Sequence, residues 1–151
     1  MIAKDIGRSL SAHLDQERLA TELRQTLRQT LFSSGLRISP RRVNKVGQEA
    51  AAVFFKFLET EDAEAARTYG RDLALEGLGH RSILTMTEAL RRACWMANLD
   101  REVLRVALGA SGRYVNAFLE GYMSGREEEI LKEQERTRHA FQRVLEKQAR
   151  S

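Results

Sequence analysis

The strongest constraint on this chain is the run REEEILKEQERTRHAFQRVLEKQAR over residues 126–150. Glu, Arg, Lys and Gln dominate it, all good helix formers, and the chain's single proline, Pro40, lies far upstream. Its large apolar residues are only Ile130, Leu131, Phe141, Val144 and Leu145, too few to bury such a helix on all sides. At 1.5 Å per residue, a helix from Arg113 to Gln148 would span roughly 50 Å, more than the width of a domain this small. The stretch therefore reads as a rod leaving a body, and something must lie along its far end.

The chain has 151 residues, enough for one domain whose core needs no disulfides or metals. Its single cysteine, Cys94, excludes an intramolecular disulfide framework and a paired-thiol zinc site. No apolar run approaches the roughly 18 to 20 residues of a membrane span, and MIAKDIGRSLSAH lacks the apolar centre of a signal peptide. The expected location is cytoplasmic, without a membrane partner. A net charge of +4 raises the question of nucleic acid. The arginines, however, are mostly interleaved with glutamates. The one unbalanced run is Arg37, Arg41, Arg42 and Lys45, with no base-reading aromatics among them, and it reads as a solvated face.

Apolar spacing predicts an all-α chain of four or five helices, packed as an antiparallel bundle or a globin-like body. Ile6 and Leu10 suit a short lead-in. Leu14, Leu19, Leu23, Leu27 and Leu31 mark a first helix over about 13–32, ended by Ser33, Ser34 and Gly35. Ser39 and Pro40 are a start signal for a second, which carries Val43, Val46, Ala50, Phe54, Phe57 and Leu58 on one face. A third, over about 63–78, has a stripe of small residues, Ala63, Ala66, Gly70, Ala74 and Gly77, that admits close approach of another helix. A fourth covers about 81–97. The last begins near Arg101, with Asp100 as its cap. Gly121 and Gly125 are candidate hinges, and Ser124 with Glu127 forms a capping-box pattern at which the helix would restart. The division is a body over 1–125 and a linker helix over 126–151.

Along that linker, Ile130, Gln134, Thr137, Phe141 and Val144 follow alternating steps of four and three, as in a coiled coil. They are the candidate contacts of a homodimer. An amphipathic helix packed on its own domain would show the same spacing.

For chemistry, His13, His80 and His139 have no partner at the spacing of a helical metal motif. Phe54, His80, Cys94, Trp95 and Tyr114 are candidate lining of a ligand pocket, and a haem-binding or small-ligand globin-like protein with His80 as ligand is the alternative reading. No phosphate loop, nucleophile motif or isolated acid pair appears, so catalytic, cofactor and metal residues are expected to be none and the chain is read as non-enzymatic.

The segment 39–94, with FLETEDAEAA, GRDLALEGL and EALRR in order, followed by EEEILKEQERTRHAFQRVLEKQ, resembles the helical N-terminal sensor domains of bacterial signal-transduction proteins. In particular it is similar to those of stressosome co-antagonists, some of whose relatives are globin-like without haem. That resemblance implies a dimeric all-helical body, and the chain is read as a cytoplasmic sensory or dimerisation module. It would relay a conformational change through its C-terminal helices to an attached or separate effector domain.

Overall fold

The computed structural model describes residues 14–34 and 39–150, without the side chains of 32–34. The expected lead-in through Ile6 and Leu10, and with it His13 and Arg37, lies outside the described residues. Five helices follow in order, with no strand among the described residues: α1 Gln16–Ser34, α2 Pro40–Thr60, α3 Ala63–Leu75, α4 His80–Met96 and α5 Arg101–Ala149. The chain is all-α, with a long C-terminal helix.

Local chemistry sets most of the boundaries. The Ser39 hydroxyl accepts from the Arg42 amide at 3.2 Å, and Pro40 opens α2. Glu61 ends α2 in the left-handed region at φ 51, its amide donating to Phe57 at 2.7 Å. Asp62 then caps α3 by accepting from the Ala65 amide at 3.2 Å. The sequence places the end of α3 near Leu78, but it stops at Leu75. Gly77 adopts φ 96, and the Gly77 and Leu78 amides donate back to Ala74 and Leu73 at 3.0 and 3.1 Å. This is a Schellman stop: Gly77 tolerates the left-handed turn and buried Leu78 covers it. Asp100 occupies the cap position of α5 without a side-chain capping bond.

α3 packs most extensively on α5, α1 packs on α2 and α4, α2 reaches both α3 and α5, and α4 packs on α5. Their shared core is aromatic at its centre. Tyr114 of α5 meets Phe54 edge-on with centroids 5.2 Å apart, Phe57 at 5.4 Å, and stacks on Phe118 at 5.7 Å. The α3–α5 contact is close because glycines line it. A methyl on Gly70 would strike the Phe118 carbonyl and come within 3.0 Å of the Tyr122 amide nitrogen. One on Gly121 would sit 2.6 Å from the Arg67 carbonyl carbon, and one on Gly125 2.7 Å from the Ala74 Cβ. Above the glycines the Tyr122 hydroxyl donates to the Leu78 carbonyl at 2.6 Å, tying α5 to the Schellman turn.

α5 runs unbroken for 49 residues, so the capping-box pattern at Ser124 starts no new helix. Its amides already have backbone partners within the continuing helix, which leaves a cap nothing to satisfy. Burial ends abruptly: Gly125 is the last buried residue, and from Ile130 to Arg150 every residue is exposed. About 35 Å of helix beyond residue 126 thus stands clear of the head.

Candidate functional site

The sequence marks out two sets of residues: a pocket in the head and a stripe on the stalk. The pocket set is not brought together. Phe54 and Tyr114 are in ring contact at the centre of the core, and Cys94 is fully buried in α4. His80 is the exposed first residue of α4, and Trp95 faces solvent with 62 % of its surface exposed. Burial pushes the Cys94 thiol up to about 11, while a hydrogen bond with Ser111 pulls the other way. At neutral pH it is therefore a neutral thiol and a poor nucleophile. Burial likewise raises the Tyr114 and Tyr69 phenols. A cleft of about 310 Å³ lies elsewhere in the head, between the start of α1 and the end of α4, lined by Leu14, Arg18, Leu19, Arg92 and Met96. Among the described residues no three His, Cys, Asp or Glu side chains gather as metal ligands.

The basic run is partly spoken for. Arg42 forms a two-pronged pair with Glu76 and reaches Glu49 at 3.2 Å, joining α2 to the end of α3, and the Glu76 hydrogen bond raises its pKa. Arg41 and Lys45 are exposed.

The stalk residues, by contrast, do share one surface. Ile130, Gln134, Thr137 and Phe141 line a single shallow groove along α5, with Glu133 and Arg138 on its banks. Phe141 is 62 % exposed, and Ile130, Leu131, Val144 and Leu145 are each about half exposed. Ion pairs beside and behind the groove support the free helix: Lys132 to Glu128 at 3.8 Å and Arg138 to Glu135 at 3.0 Å, with His139 also 3.0 Å from Glu135.

The groove's direction relative to the head is the feature that sequence spacing missed. In the head α5 turns Ala107, Tyr114, Phe118, Gly121, Tyr122 and Gly125 inward. With roughly 100° per residue, the mean direction of its buried residues and that of the five large stalk apolars lie about 170° apart. The head's solvent face, Arg113, Asn116, Glu120, Met123 and Glu127, runs in step into Ile130 and Gln134. The core face runs on into Glu129, Lys132, Arg136, His139 and Arg143. Averaged along its whole length, α5 consequently has almost no amphipathic direction, although each half is amphipathic. A stalk adapted to its own head would keep its apolar stripe on the same side.

Gly121 and Gly125 sit at the junction, inside continuous helix and buried against α3. Arg67 to Glu120 at 3.0 Å and Arg71 to Glu128 at 2.8 Å flank that contact. Two further ties, Tyr122 to Leu78 and Arg113 to Glu61 at 2.5 Å, hold α5 where no sequence motif announced them. No helix among the described residues is long and apolar enough to cross a membrane. No protein-family model, curated protein or solved structure matches the chain.

Proposed function

We propose that this protein is a non-catalytic sensory and dimerisation module of a cytoplasmic signalling system. Its head changes packing in response to a ligand or partner, and α5 carries that change to an effector, attached or separate. The observation that supports this reading is the reversal of the apolar face within one unbroken helix. The first half of α5 is shaped to its own body and the second half to another one.

A continuous helix with its turns hydrogen-bonded moves as a rigid element, so a displacement at Tyr114 or Gly121 has to reappear at Phe141. In the head, close contact with α3 restricts α5 to a few packed positions, since interdigitated cores are bistable and do not deform smoothly. On the stalk, Ile130 with Val144 and Leu131 with Leu145 form adjoining stripes one residue apart that share Phe141. Small rotations of α5 would exchange one stripe for the other, and a ligand favouring one head packing would shift the population between them.

Sedimentation equilibrium tests the pairing on which this depends. The intact chain is expected to dimerise with concentration, and Phe141→Glu to remain monomeric with unchanged helical content. An intact chain that stays monomeric at the highest attainable concentration would refute the proposal.

A further inference from the structure

We propose that Glu133 and Arg138 fix how two copies of this chain pair, in parallel and in register, so that both heads lie at the same end. This rests on the self-pairing reading above and adds its geometry. The occupant of the stalk groove is then the same groove on a second copy. Glu133 and Arg138 stand on opposite banks of that groove. In a parallel pair of helices, the residue just before one core position faces the residue just after the core position in the next turn pair, five residues further along the other chain. Glu133 thereby meets Arg138 of the second copy, and symmetry makes the ion pair twice.

Antiparallel pairing of the same stripe has the opposite electrostatics. Overlaying Phe141 on Ile130 and Gln134 on Thr137 brings Arg126 beside Lys147 of the second copy, again twice, and leaves Glu133 beside Ala140. Two attractive pairs are exchanged for two repulsive ones.

Parallel layering also matches like with like. Gln134 faces Gln134, where the two side-chain amides satisfy each other, and Phe141 faces Phe141. A slip of seven residues would set Gln134 against Phe141 and leave the amide unsatisfied, as a single polar core residue does when it specifies register. Towards the head, Glu127 would face Glu127, so the seam closes at Ile130. In the single chain Arg138 donates to its own Glu135 at 3.0 Å and is well exposed. Its five-donor fork can keep that bond while turning another N–H to Glu133 of the second copy.

A charge swap tests this. Glu133→Arg and Arg138→Glu, each alone, place like charges across both symmetric contacts and should weaken self-association about tenfold in sedimentation equilibrium at low salt. An equimolar mixture of the two variants restores both ion pairs and should associate as strongly as the original chain. A mixture no stronger than the separate variants overturns the parallel arrangement while leaving dimerisation standing. Absence of dimer in the unmodified chain would instead remove the self-pairing reading beneath it.

Discussion

Gly121→Ala and Gly112→Ala are the same chemical change in the same helix, and the structure predicts opposite signs. Both positions lie inside α5, where replacing glycine by alanine favours the helix by about 1 kcal/mol. At Gly112 a new Cβ meets nothing within 4 Å, so the gain should be realised nearly in full. At Gly121 the Cβ would lie 2.6 Å from the carbonyl carbon and 2.7 Å from the Cα of Arg67. These are backbone atoms of α3 and cannot swing aside, so the two helices must part by roughly 1 Å to reach ordinary contact distance. Overpacking of this kind costs about 1–3 kcal/mol. Parting also stretches the bond from Tyr122 to Leu78 and the ion pair from Arg67 to Glu120. The net expectation is a loss of about 2 kcal/mol for Gly121→Ala against a gain of about 1 kcal/mol for Gly112→Ala. Urea titrations followed by circular dichroism resolve such a difference, and in a protein of this size each kcal/mol moves Tm by about 2–4 °C. Gly121→Ala as stable as Gly112→Ala would show that α3 does not press on this glycine. The position would then act as a point of flexibility, since a hinge inside continuous helix gains stability from alanine.

The remaining predictions bear on other parts of the molecule. Truncation after Ile130 should leave thermal unfolding of the head unchanged, because everything beyond is exposed, while abolishing concentration-dependent association. Tyr122→Phe should destabilise the head by about 1–2 kcal/mol in the same urea assay, since it leaves the buried Leu78 carbonyl without its donor. Cys94 should react with a thiol reagent at pH 8 only as fast as the protein opens, and readily once unfolded. Its folded thiol is raised to about 11, above the unfolded value near 9, so folding excludes the thiolate. That contribution to stability is complete below pH 9 and declines as pH rises towards 11, whereas Cys94→Ala should flatten the slope in that window.

Much of the architecture was legible because its causes are local. Ser39 and Pro40 act within a turn of themselves, and the periodic leucines of α1 require only a core to face. The stripe of small residues in α3 announced a close helix partner, although not which one. Trp95 shows the converse. Its spacing beside Cys94 suggested a shared pocket, yet one residue along a helix is a rotation of roughly 100°, enough to carry Trp95 into solvent while Cys94 stays buried. The pairs Arg42 with Glu76 and Arg113 with Glu61 join residues distant in the chain, and no local pattern could have named them.

The sequence alone determined that this protein is helical, where most helices begin and end, and that residues 126–150 cannot be enclosed, since propensity, capping and apolar content are properties of short stretches. Only the tertiary structure decided which glycines are contacts and which way the stalk's apolar stripe faces. The physical reason is that a direction around a helix has meaning only relative to a neighbour, and α3 supplies the neighbour that sets the stripe of Phe141 on the side away from the head.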